Sequence, residues 1–279
     1  MTFLLDPFSA DFMLRALVGG VLVAAICAVV GAWVVIRGKA FLGEAMAHGM
    51  LPGVATATLL GLPPIVGATV SAAAMSFGVS LLARRGKLSH DTSIGLLFVG
   101  MLALGVIIVS QSRSFATDLT AILFGDILAI STGDITILAV ALLVTIIIAV
   151  AFHRPFVALA FDGRVAATLR LRPRLAGVML VALVTLAVVS SYGAVGSLLV
   201  VGLLLAPAVA AGQWSRSIPG IMLLGMAFGS VSVVAGLLVS WYAATAAGAS
   251  VAAAAIALAA LSALGQLLVR STQKAISAH

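Results

Sequence analysis

The chain has 279 residues, 63% of them hydrophobic and only 8% charged, with a formal net charge of +7. At a mean hydropathy of +1.30 it cannot present a polar surface all round, since a soluble domain carries about 25% charged residues. That excludes a water-soluble enzyme. The lack of strand-like alternation excludes an outer-membrane barrel, leaving an all-α integral membrane protein.

In chain order, the start MTFLLDPFSADF has no basic leader. The first apolar run, 14–36, ends in Arg37 and Lys39 rather than at a small-residue cleavage site, so a retained span is predicted. Run 41–60 contains FLGEAMAHGMLPG, with Glu44, the only glutamate of the chain, and His48 four positions later. Runs 64–83 and 93–110 follow. The stretch TDLTAILFGDILAIS, 117–131, is short and carries Asp118 and Asp126, which predicts an interfacial or re-entrant helix. After run 134–152 comes HRPFVALAFDGRVAATLRLRPRL, 153–175. It is predicted helical in its middle, with Val165, Ala166 and Leu169 on one face and Pro155 and Pro173 at its edges. Such a basic segment suits either an anionic lipid surface or a soluble partner. Runs 176–192, 195–212, 218–241 and 250–269 complete the chain. Between the first two, SSYGAVG at 190–196 fits either a break between short helices or one long bent helix.

The runs make nine candidate spans. Alternating them from an outside N-terminus puts thirteen basic residues inside and two, Arg15 and Arg113, outside, as the positive-inside rule requires. The +7 charge therefore follows from topology and needs no nucleic acid. Pro52, Pro63, Pro64 and Pro207 are predicted to break or kink helices, and in membranes such breaks line pathways. GASVAAAAIALAALSALG near the end permits close helix packing. Met46, Met50, Met75 and Met101 read as packing residues rather than soft-metal ligands. One cysteine, Cys27, allows neither a disulfide framework nor a thiolate cluster. The pairs RGKA and RGKL lack the spacing and hydroxyl of a phosphate-binding loop, so any ATP hydrolysis belongs to another subunit.

Residues four apart on a helix face the same way, which sets Glu44 beside His48. Carboxylate oxygen and imidazole nitrogen suit zinc, and manganese accepts the same atoms with more preference for oxygen. Two ligands hold an ion weakly, but a two-fold dimer would bring four together. The residues alone leave a second reading open. Glu44 could serve the helix dipole in a first turn and pair with Arg37 or Lys39, and His48 could donate to a backbone carbonyl.

FLGEAMAHGMLPGVA resembles the S-x-x-G-D-A-x-S-H-A-x-L-P-G-x-A signature of zinc/manganese-type ABC importer permeases. VGSLLVVGLLLAPAVAA, 195–211, is similar to their V-G-x-L-L-V-x-x-L-L-x-x-P-A-x-x-A segment, and FDGRVAATLRLRP to their F-D-x-x-x-A-x-x-x-G-L stretch. The matches fall in family order and, with the spacing of spans, cover nearly the whole chain as a single permease domain of 8–9 spans. The resemblance implies the fold of the vitamin-B12-type (type II) ABC importers. It further implies a homodimer, two cytoplasmic ATPase subunits that use the ATP, and a metal-binding protein docking outside a bacterial cytoplasmic membrane. It carries metal-route duty to Glu44 and His48, coupling to the ATPase to Asp162, Ala166 and Leu171, and the seventh-span proline to Pro207. It departs from the pattern where Glu44 stands for Asp, Ala47 for Ser, Arg170 for Gly and Arg164 for a common acid.

The function expected is a permease for divalent ions, zinc first and manganese or iron as the alternative. It would work by alternating access, with no permanent cofactor. A secondary carrier using Glu44 as a proton site is the competing class, and its mark would be repeats between the halves, of which none is convincing. A metal chelate as cargo fits the charged pair poorly.

Overall fold

The computed structural model describes residues 6–84, 90–111, 125–161 and 171–276, and its regular elements are all helical. Among the described residues ten α-helices appear in chain order. They are α1 (Asp11–Ile36), α2 (Ala40–Gly49), α3 (Leu51–Leu59), α4 (Pro64–Arg84), α5 (His90–Val109), α6 (Thr132–Ala151), α7 (His153–Phe161), α8 (Pro173–Trp214), α9 (Ile218–Ala243) and α10 (Ala247–Ile276).

Among the described residues seven helices are long and apolar enough to cross a membrane: α1, α4, α5, α6, α8, α9 and α10. The nine apolar runs are recovered if the two halves of α8 are counted separately and α2 with α3 as one stretch. Run 41–60 is not one helix. Pro52, in the first turn of α3, has no N–H to offer the His48 carbonyl, and the helix divides at Met50. At the second doubtful place the chain follows both expectations at once. α8 runs for 42 residues but contains Gly196 at φ 74 and ψ 164, a backbone state open essentially only to glycine. Gly125 lies against this break so closely that a Cβ on it would stand 2.3 Å from the Gly196 nitrogen.

α6 starts where the sequence expects it. Ser131 Oγ accepts from the Asp134 N–H at 3.2 Å, and the Asp134 carboxylate accepts from the Ser131 N–H at 2.9 Å. Of the stretch 117–131, the described part contains one 3-10 turn, Ile127–Ala129, capped by Asp126; the part before 125 lies outside the described residues. The 153–175 connection is described at its two ends, and the helix expected in its middle falls outside the described residues. Its first nine residues already form α7, while Val165, Ala166 and Leu169 lie outside the described residues. α7 is docked on the core. Phe156 is fully buried, with its ring 5.3 Å from Trp33 and 5.8 Å from Phe152.

α1 is the buried axis of the molecule, packed against α6, α8 and α9. Between lipid-bathed helices apolar burial gives little drive, so close approach of backbones has to hold them. Small residues provide it. Gly31 of α1 lies against the Leu204 carbonyl of α8, and Gly53 of α3 and Gly67 of α4 face each other's carbonyl oxygens.

Candidate metal-route site

α2 reads as a helix with one open face. Leu42, Gly43, Ala45, Met46, Ala47 and Gly49 are buried, whereas Glu44 and His48 are half-buried and Phe41 is 39% exposed. Positions 41, 44 and 48 are three and four apart and so share that face. The buried faces explain why α2 is fixed. Leu204 of α8 packs onto Gly43, Ser71 of α4 donates to the Gly49 carbonyl at 2.9 Å, and Met75 lies over Gly49.

Phe98 of α5 closes one side of the open face. Its ring lies 5.8 Å from the His48 imidazole and 5.7 Å from Phe41. His48 Nδ1 is buried and has no hydrogen-bond partner. A buried ring nitrogen left unpaired costs free energy. Among the described residues no group of three His, Cys, Asp or Glu side chains comes together, so one protomer offers two donors.

The alternative reading of the pair loses its supports. α2 begins at Ala40, so Glu44 is not in its first turn, and the acid acting on Lys39 is Asp91 rather than Glu44. His48 donates to no backbone carbonyl from its buried Nδ1. Met46, Met50 and Met75 are fully buried packing residues. Pro207 is buried inside α8, its ring 3.7 Å from the place a Cβ on Gly229 of α9 would occupy, away from the Glu44/His48 face. Leu171 is half-buried just ahead of α8; Asp162 and Ala166 lie outside the described residues. Phe98 had no sequence signal, being one aromatic in an apolar run. Phe41 could have been found from its spacing to Glu44.

Residues 9–266 match the ABC 3 transport family. The chain belongs to that family. Among its relatives, the manganese transport system membrane protein MntC of Listeria innocua is 32% identical over 90% of this chain and 89% of its own length. The chelated iron transport system membrane protein YfeD of Yersinia pestis is 30% identical over 87% of this chain and 82% of its own. Among solved structures, PsaBC from Streptococcus pneumoniae in complex with Fab superposes with a TM-score of 0.82 at 29% identity, covering 93% of this chain and 94% of that one. The family member described here is thus a multi-pass membrane permease with the type II importer fold.

Proposed function

We propose that this chain is the permease subunit of an ATP-driven importer of divalent metal ions. The observation that carries the reading is the open face of α2, where the glutamate and a half-buried histidine lie on an otherwise buried helix. A donor pair facing out of the protomer is completed by a second copy, which brings two more ligands and makes the four that such ions commonly take. The ion is cargo, so a site assembled from halves has an advantage: it opens when the protomers separate.

The names of the relatives support manganese or iron as cargo, ahead of the zinc that the resemblance put first. The mixed oxygen and nitrogen donors are compatible with either. Two separate ATPase subunits hydrolyse the ATP, and a binding protein delivers the ion from outside a bacterial cytoplasmic membrane. The N-terminus lies outside and the C-terminus in the cytoplasm, as the basic connections favour. Closure of the ATPases acts on the 153–175 connection through Asp162, Ala166 and Leu171. Phe156 then passes the displacement to Trp33 near the end of α1, and the 37–39 connection leads from there into α2.

The test is metal content and radiolabelled manganese uptake in cells carrying the complete transporter. Glu44→Ala and His48→Ala are each expected to lower uptake by about tenfold or more, the effect of losing one metal ligand or its support, while the complex still assembles. Unchanged uptake would remove the pair from the route. Elemental analysis of cells lacking the chain names the ion.

A further inference from the structure

A cleft between α4, the 37–39 connection and the first half of α8 has two chemically different ends. Its upper part, about 570 Å³, runs between α4 and the first half of α8 and is lined by Phe77, Val178, Ala182 and their neighbours. The lower part, about 470 Å³, lies against the 37–39 connection and the start of α8 and contains Arg37, Lys39 and Arg174. The two adjoin, with Ser80, Val178 and Val181 in the walls of both.

The upper wall asks for no polar ligand. Its four hydroxyls already have partners within the protein: Thr69 lies 2.7 Å from the Ile65 carbonyl, Ser76 2.8 Å from that of Ala72, Ser80 3.0 Å from that of Ser76 and Thr185 2.9 Å from that of Val181, and Ser76 and Thr185 lie 3.2 Å apart across the cleft. It is also open sideways, with Phe77 70% and Val178 53% exposed. The lower end is the reverse. Arg37 and Lys39 are half-buried, and burial holds both groups below their ordinary values. For Lys39 the nearby Arg37 adds to this effect and Asp91 opposes it. Among the described residues three cations line this end, Asp91 acts on Lys39 among them, and the N-terminal turn of α8 at Pro173 adds its dipole.

We propose that this cleft binds an anionic phospholipid of the cytoplasmic leaflet, its phosphate held by Arg37, Lys39 and Arg174 and an acyl chain lying along Phe77, Val178 and Ala182. The leaflet rests on the orientation proposed above; the site does not depend on the cargo. A free phosphate would use the basic end and leave the apolar groove unfilled. A zwitterionic lipid would fill the groove and leave the cations without net compensation. Basic pockets between helices on the cytoplasmic side take anionic headgroups for this reason. The geometry makes the lipid a wedge between α4 and α8 next to the connection that leads into α2, where its presence bears on how those helices move.

The experiment extracts the full chain, with its ATPase, from membranes of equal phosphatidylglycerol and phosphatidylcholine, and counts retained lipids by native mass spectrometry. The wild type is expected to retain phosphatidylglycerol by at least about fivefold over phosphatidylcholine, roughly the preference one basic residue confers. The triple variant Arg37→Gln, Lys39→Gln, Arg174→Gln brings the ratio close to parity. Arg174→Gln alone, at an exposed position, lowers it if the triple variant does not fold. Ala182→Trp fills the groove with the charges intact and is expected to reduce retention of both lipids. Soluble glycerol phosphate, the headgroup alone, is expected not to displace the lipid. Equal retention of the two lipids would overturn the proposal, as would a preference untouched by Arg174→Gln. Complete displacement by glycerol phosphate would make it a soluble-anion site. Loss of the ATPase from the charge variants with lipid retention unchanged would assign the cations to that partner. None of these outcomes bears on Glu44 and His48, so failure here and failure of the transport reading are distinguishable.

Discussion

The imidazole of His48 is placed by an aromatic neighbour rather than by a hydrogen bond. Its Nδ1 is buried and unpaired, and its ring contact is Phe98, 5.8 Å away and inclined at 57°. Removing that ring frees the imidazole to take rotamers that turn away from the open face of α2. Aromatic contacts of this kind contribute about 0.5–1.5 kcal/mol, so Phe98→Ala is expected to raise the half-saturating metal concentration by roughly two- to tenfold. Maximal uptake should change less. Uptake measured across manganese concentrations separates the two, and a variant with wild-type saturation would show that Phe98 does not position the histidine. The one-turn spacing of Glu44 and His48 was legible in the sequence because a helix converts spacing into direction. That the pair faces out of an otherwise buried α2 was not, since the residues around it are apolar on every side and only the packing of α4, α5 and α8 determines which face stays open.

At the scale of elements, a tight backbone contact near the site joins α3 and α4. A Cβ on Gly53 would stand 2.0 Å from the Gly67 carbonyl oxygen, and a Cβ on Gly67 the same distance from that of Gly53. Neither carbonyl can yield without moving a helix. Gly53→Ala and Gly67→Ala are therefore each expected to destabilise the protein by about 1–3 kcal/mol, as overpacking does. Gly100 on α5 has nothing within 4 Å of its would-be Cβ, and Gly100→Ala should stay within about 0.5 kcal/mol of the wild type. Thermal unfolding in detergent measures all three, and equal behaviour of Gly53 and Gly100 would contradict the packing described. The elements also show where hydropathy misleads. Run 41–60 is continuous in apolarity but divided at Met50, because Pro52 removes a hydrogen bond without changing the run's hydrophobicity. Runs 176–192 and 195–212 meet at the polar stretch 190–196, where the backbone itself leaves the helical state at Gly196, so that α8 is two helical halves joined across a kink. A hydropathy profile registers side chains, whereas these breaks belong to the backbone.

For the whole molecule the open face of α2 has a consequence for assembly. If two copies meet there, position 48 of one protomer lies near position 48 of the other. A His48→Cys variant, with Cys27 too buried to react, is expected to give a covalent dimer with a short bismaleimide in native membranes. The same substitution at Leu267, 63% exposed on α10, should not. Absence of the product at position 48 would place the metal face away from a central passage, and the two-copy site with it.

The sequence by itself determined the class. Its 63% hydrophobic content and 8% charge admit only helices in lipid, because unpaired backbone groups are too costly there. The arginine-rich connections indicated an orientation, and three motifs in order indicated the family that the match over residues 9–266 shows. Tertiary structure alone decided that α1 lies inside the bundle, that Phe98 meets His48, that Phe156 docks on Trp33, and that an apolar groove adjoins a basic pocket. The reason is physical. In a chain that is apolar on nearly every face, sequence periodicity no longer separates inside from outside, and the choice falls to which small residues let which backbones approach.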